Sequence, residues 1–389
     1  MKKKHILYTI SGIMLLLIAV SCPGCKGVQS AIQSGIASIT ETVVSLSARE
    51  KYLKELKEEP LMATQWEGAY NAAVQDSLGV SLPYGEKGAF IPHVSPAYSY
   101  VVAMREGEVL KATIASDSLN QRMFITVLES TSTGYEVVKT NEGGENMLSC
   151  DISESGIYKV IVQPELAANT PFFLSLEKNP LYGFPVAGKG NSDVGSFWGM
   201  DRDGGKRRHE GIDIFAKRGT PVVAITDGFI SYTGEKGLGG KQVWLRDGLL
   251  GRHLYYAHLD SIKTTSGSRV KLGDTLGFVG NTGNARTTVP HLHFGIYKGG
   301  AVDPLPFVYK MPKATASSFQ QLFKTEVLIT KSAANLRQSP DTKSTVLGKL
   351  PANENVLLLG QSDDWLHIQV KNGMKAFLHK SLAKPNAKS

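Results

Sequence analysis

Cysteine is almost absent from this chain: three occur in 389 residues, at positions 22, 25 and 150. Four-ligand structural zinc sites are usually rich in cysteine, which weighs against one here. Long apolar runs are scarce too. The one that stands out, Ile6 to Val20, falls short of the ~20 residues that a membrane-spanning helix needs. Charge of one sign is only modestly in excess. The net charge is +8, of which Lys2, Lys3 and Lys4 supply three, leaving +5 on the remainder. Such a balance weakly favours anionic polymers or a membrane surface, and nothing points to nucleic acid. An apolar fraction of 42% is ordinary for globular protein and excludes a disordered or fibrous chain.

What is present begins at the amino terminus. Three lysines followed by a short apolar run form a secretory signal over residues 1–21, which predicts an exported protein. Ala19-Val20-Ser21-Cys22 resembles a bacterial lipobox, with Ala19 where leucine is commoner. It implies cleavage before Cys22 and a lipid anchor there, with plain signal-peptidase cleavage as the alternative. Cys25 is the poorer acceptor because Pro23 precedes it closely. With Cys22 acylated, a Cys25–Cys150 pair and two separate thiols both suit the sequence, so no disulfide is assigned.

The length predicts two to three domains at about 150 residues each. Residues 22–81 form an N-terminal helical segment: AREKYLKELKEEPLMATQWEGAYNAA has helix-compatible apolar spacing interrupted by Pro60. Residues 82–178 alternate in the strand manner through YSYVVAM, VLKATIA, RMFITVLE and GIYKVIVQP, which predicts a β-sandwich. Residues 181–312 carry short apolar runs punctuated by glycines, such as TPVVAITDGFI and VKLGDTLGFVGNTGNA, the rhythm of many strands and tight turns. A small polar linker at 313–324 leads to a last module at 325–384. The fold class expected is mostly β and multidomain.

Five of the nine histidines lie between positions 209 and 293. In PHLHFG, residues 290–295, His291 and His293 stand at i and i+2 of a strand and share a face, while Leu292 and Phe294 turn into a core. HEGID supplies His209 and Asp213 at the entry to a strand. Two histidines and a carboxylate leave the fourth position of a tetrahedral zinc open, the catalytic type of site. YYAHL adds His258. His5, His93, His253, His367 and His379 read as surface or satisfied core residues. Glu210 is not expected to be a general base, because HEGID lacks the second histidine of a helical HExxH and Gly211 follows at a strand entry. The GLGG run at 237–240 suits a mobile loop over a groove or a plain hairpin tip, and NTGNARTTV at 281–289 is placed to line a cleft.

HEGID, the GTPV turn at 219–222, YYAHL and PHLHFG, in that order, resemble the M23 family of zinc metallopeptidases, the lysostaphin and LytM-like group, over Leu181 to Pro306. The resemblance implies an antiparallel β-sheet peptidase domain with Zn2+ held by His209, Asp213 and His293. It implies that His291 and His258 stand beside the metal as the acid/base and transition-state pair, His291 as base and His258 at the oxyanion and leaving amine; sequence leaves that division of roles open. The implied reaction is hydrolysis of peptide cross-links in bacterial peptidoglycan. Glycyl-glycine and D-alanyl-diaminopimelate bonds both suit an open zinc cleft.

Asn335, Leu336, Arg337, Pro340 and Trp365 resemble a bacterial SH3 domain, which implies binding of wall peptide or docking onto the peptidase. Trp365 suits a core position, with a groove shared with Phe377 and His379 as the alternative. A zinc endopeptidase competes with two other readings, a non-enzymatic wall scaffold that activates a separate hydrolase and an adhesin. Degenerate scaffolds of this kind usually lack metal ligands, and this chain lacks none.

Overall fold

A computed structural model describes residues 46–90, 97–116, 121–142, 145–248, 251–312 and 327–386. The expected signal, Cys22 and Cys25 lie outside these residues. Two compact units are distinguished, one ending at Glu55 and the other running from Leu56 onward. In the first, helix α1 (Ala48–Glu55) starts at Ser47. The Ser47 backbone N–H donates to the Glu50 carboxylate at 2.8 Å, and the Glu50 N–H donates to Ser47 Oγ at 3.3 Å. This reciprocal exchange satisfies donors that a helix start otherwise leaves orphaned.

The second unit opens with α2 (Pro60–Gln75). Pro60 is therefore the start of a helix, where its missing N–H costs nothing. Eight strands follow: β1 (Tyr84–Phe90), β2 (Tyr98–Met104), β3 (Glu108–Ser116), β4 (Met123–Thr131), β5 (Gly134–Thr140), β6 (Met147–Asp151), β7 (Gly156–Pro164) and β8 (Thr170–Pro180). They make two layers, β2-β7-β4-β5 facing β1-β8-β3-β6. Alternate residues such as Leu110, Ala112 and Ile114 of β3 meet Ile125, Val127, Val160 and Val162 of the opposite layer in one core. The helix packs on the outside of β7, where Trp66 donates to the Pro164 carbonyl at 2.9 Å and meets the Phe124 ring edge-on.

Next come β9 (Val194–Ser196), β10 (Asp201–Arg202), β11 (Arg207–Arg208), β12 (Ile212–Phe215), β13 (Pro221–Val223) and β14 (Gly228–Glu235). They are followed by β15 (Lys241–Asp247), β16 (His253–Ala257), β17 (Leu259–Ile262), β18 (Arg269–Val270), β19 (Thr275–Val279), β20 (His291–Tyr297) and β21 (Ala301–Val302). The main sheet runs β18-β14-β15-β16-β20-β12-β9, with β21 also on β20. A smaller sheet, β13-β19-β17, and a separate ribbon, β10-β11, complete this region. Leu292, Phe294 and Ile296 of β20 share a core with Ile212 and Ile214 of β12 and with Leu259, Leu276 and Val279 of the smaller sheet. A short helix, α3 (Leu305–Val308), closes it. The sandwich meets this region at Gly107, whose φ of +89° suits glycine and where a Cβ would lie 2.4 Å from the Phe307 ring. Arg252 and Lys298 both reach Glu106 beside it.

The last module comprises β22 (Val327–Thr330), β23 (Ala334–Arg337), β24 (Val346–Leu350), β25 (Asn355–Ser362), β26 (Trp365–Gln369), β27 (Lys375–His379) and β28 (Ala383–Pro385). It is not a bead on a string. Its β25 pairs antiparallel with β1, Lys87 opposite Gln361 and Gly88 opposite Gly360, so one sheet of eleven strands spans both modules. The docking partner is thus the sandwich. Phe377 is buried in the sandwich core cluster and does not line a groove. Trp365 is half-buried: it packs against that cluster and also faces a groove of about 280 Å³ with His379, Arg337 and Asn335.

Candidate active site

The site is written into three neighbouring strands. In β20 the alternation of HLHFG drives Leu292 and Phe294 to zero exposure, leaving His291 and His293 on the opposite face. On one side β12 places Asp213 directly across from His293; on the other, β16 places Ala257 across from it. Directly opposed residues have Cβ atoms about 4.5–5.5 Å apart, so the register alone brings the Asp213 carboxylate to the His293 ring. His209, four residues before Asp213, reaches in from just beyond β11. Gly211 makes room for it: a Cβ there would lie 2.6 Å from the Phe294 carbonyl and 2.7 Å from the His293 ring.

Three donor atoms converge. His209 Nε2 lies 3.1 Å from Asp213 Oδ1 and 3.0 Å from His293 Nδ1, and His293 Nδ1 lies 3.0 Å from Asp213 Oδ1. Ligands about 2.0–2.1 Å from a tetrahedral zinc stand roughly 3.3 Å apart, so this triangle is of the right size and chemistry to hold one. The second nitrogen of His209 is committed elsewhere. Nδ1 donates to the Phe197 carbonyl at 2.8 Å, which fixes the tautomer and turns the Nε2 lone pair inward. Burial by itself would raise the Asp213 pKa, but the adjoining His209 and His293 rings hold it well below the usual carboxylate range. Burial lowers His293, against the pull of Asp213.

His291 and His258 stand beside this triangle. Their ring centroids are 5.1 Å apart, and His291 Nε2 lies 4.0 Å from Asp213 Oδ1. His291 Nδ1 donates to the Val289 carbonyl at 2.8 Å, and His258 Nδ1 donates to the Thr282 carbonyl at 2.9 Å. Carbonyls only accept, so both rings carry a proton on Nδ1. Burial, then the neighbouring His293 and His291, push the His258 pKa down to about 4, so this imidazole is neutral at pH 7. Its backbone is unusual, with φ at +62°, a conformation that costs a non-glycine residue roughly 1–3 kcal/mol and recurs at functional sites. Hydrogen bonding from its N–H to the Gly239 carbonyl at 2.8 Å helps hold it there. The 237–240 run is accordingly a hairpin tip between β14 and β15, tied to the site through His258.

A cleft of about 750 Å³ contains all five residues, and every residue lining it falls between 196 and 297. Tyr255 and Tyr297, whose rings lie tilted against Trp244 at 4.5 and 5.2 Å between centroids, form an aromatic wall. Leu238 of the hairpin tip and Asn284, Ala285 and Thr288 of the 281–289 loop line the other parts. Glu210 is exposed on the wall near Tyr297. Sequence reasoning passed over Arg202 and Ser196, which touch the ligand set from behind. The only signal for them was the DRDGGKRR stretch abutting HEGID, and its charges resemble an ordinary solvated hairpin.

Residues 207–304 match the family model described as Peptidase family M23, and residues 332–384 match that of the Bacterial SH3 domain. A stretch of 143 residues is 38% identical to the DD-carboxypeptidase/endopeptidase Mpg of Neisseria meningitidis serogroup B, covering 36% of this chain and 31% of that one. Another of 140 residues is 36% identical to the L-Ala--D-Glu endopeptidase of Bacillus subtilis, covering 32% and 42%. The catalytic domain of the antimicrobial peptidase lysostaphin from Staphylococcus simulans is 35% identical over 29% of this chain and 89% of that one, with a TM-score of 0.27. The chain thus spans 31% to 42% of the length of these two curated relatives.

Proposed function

We propose that this chain, which carries a peptidase family M23 domain and a bacterial SH3 domain, is a zinc endopeptidase that hydrolyses peptide cross-links of bacterial peptidoglycan. One observation carries the reading: three donor atoms of His209, Asp213 and His293 converge within 4.8 Å of one another, with two further imidazoles alongside. Zinc bound there would supply a Lewis acid and a water acidic enough to attack an amide at neutral pH. The remaining work falls to the chain. His291 Nε2, 4.0 Å from Asp213 Oδ1, takes a proton from the attacking water. His258, beside it, serves the developing oxyanion and the leaving amine. Its Nδ1–H is already spent on Thr282, so the proton that it gives to the leaving amine from Nε2 is the one that His291 took from the water and passed to it, their ring centroids being 5.1 Å apart. The aromatic wall and hairpin tip orient the peptide strand.

The same reading puts the protein outside the cytoplasm, exported by its leader and anchored through acyl chains at Cys22. A mature N-terminus at any other residue, or an unmodified Cys22, would remove the anchor. For the enzyme, purified protein should hold about one zinc per chain and release new muropeptides from cell walls, read by mass spectrometry. His209→Ala and Asp213→Ala should lose the metal. His291→Ala and His258→Ala should keep it while turnover drops by roughly 10² to 10⁴. Metal-replete wild-type protein that cleaves no wall would transfer the case to the scaffold reading.

A further inference from the structure

Asp213 has two carboxylate oxygens, and the structure assigns them different neighbours. Oδ1 faces His209 Nε2 at 3.1 Å and His293 Nδ1 at 3.0 Å. Oδ2 accepts a hydrogen bond from Arg202 at 2.8 Å. The same guanidinium nitrogen donates to Ser196 Oγ at 2.6 Å. Ser196 sits on β9 directly across from Asp213, and its hydroxyl is 3.4 Å from His209 Nδ1. A single arginine therefore stands behind two of the three donors. It arrives on β10, half of a ribbon that shares no backbone ladder with the main sheet, so its contacts to the site are made by side chain.

A carboxylate can hold a metal through one oxygen or through both. A guanidinium bond to one oxygen is charge-assisted and of the strong class, and it occupies the lone pairs that a second metal contact would use. Partners of this kind behind a ligand set its orientation and tune its donor strength. We propose that Arg202 is a positioning residue of the metal centre: it confines Asp213 to ligation through Oδ1. The inference rests on the metal reading given above.

Cobalt(II) in place of zinc makes the idea visible, because four-coordinate cobalt absorbs far more strongly in the visible than five- or six-coordinate cobalt. Full-length wild-type protein loaded with Co2+ should show the intense four-coordinate bands. In Arg202→Met the bands should weaken as the second carboxylate oxygen closes on the ion, and the metal dissociation constant should rise about 10- to 100-fold. Arg202→Lys, which keeps the charge without the planar fork, should fall between. A lowered melting temperature with wild-type bands and affinity in Arg202→Met would reduce Arg202 to a structural tie and overturn the proposal. Wild-type protein that takes up neither cobalt nor zinc would overturn the metal reading itself, and this one with it.

Discussion

Two single residues test how tightly local chemistry is set. Gly211 is constrained by a close approach and not by its backbone angle, since a Cβ would press on the Phe294 carbonyl and the His293 ring. Gly211→Ala should therefore displace His293 and weaken zinc binding, measured by chelator competition, while leaving the sandwich folded. Lys159 of β7 is buried, and its ammonium donates to the carbonyls of Ala73, Val74 and Asp76 at the end of α2. It serves as a cap for carbonyls that the helix leaves unpaired. Burial pushes its pKa down from 10.5 to about 8, with Asp76 opposing and Lys375 adding. Between those values the unfolded chain binds the proton more strongly, so the folded state gains stability as pH rises from about 8 to 10.5. Unfolding free energies across that window should climb more steeply for wild-type protein than for Lys159→Met. Equal slopes would show that Lys159 is not perturbed.

At the scale of elements, the seam between β1 and β25 carries a buried polar cluster. Glu86 and His367 are both fully buried, with His367 Nδ1 3.0 Å from Glu86 Oε1. Tyr84 and Tyr100 donate to the other carboxylate oxygen at 2.6 and 2.8 Å. Breaking a buried pair strands the surviving partner and costs about 3–5 kcal/mol, whereas replacing both partners with apolar groups is often nearly neutral. His367→Phe should accordingly destabilise the fold by that order in urea titration, and a Glu86→Leu, His367→Phe double variant should recover much of the loss. Additive losses would argue against coupling. His367 was legible in sequence only as a satisfied core histidine, because nothing in WLHIQ indicates which carboxylate, 281 residues away, would satisfy it. The β20 pair was fully legible, since a period of two fixes a shared face whatever the tertiary setting. Arg202 was not, because a hairpin arginine acquires meaning only when the fold returns it to a strand beyond its own ribbon.

For the whole molecule, the strand-rich character and the order of its parts could be read from alternation and glycine punctuation. The way the parts join could not. Gly107 and Glu106 look like an unremarked turn, REGE, until Phe307, Arg252 and Lys298 are found against them. Pairing partners separated by more than 200 residues leave no local trace. The joined architecture predicts that the sandwich and the C-terminal module lose structure together: under native-state hydrogen exchange, amides of β1 and of β25 should share one opening free energy. Separate values would mean the modules open independently.

The strand that joins them also has a bearing on self-association. Remove residues 327–389 and β1 becomes the border of its sheet, offering Lys87 and Gly88 main-chain groups that Gln361 and Gly360 had faced, next to apolar side chains that Phe377 had covered. Such a border is a template for another copy of itself. A chain ending at residue 312 should then self-associate with rising concentration, visible by light scattering, where the full-length protein stays monodisperse. On this account the C-terminal module guards its neighbour against aggregation, whatever else it binds.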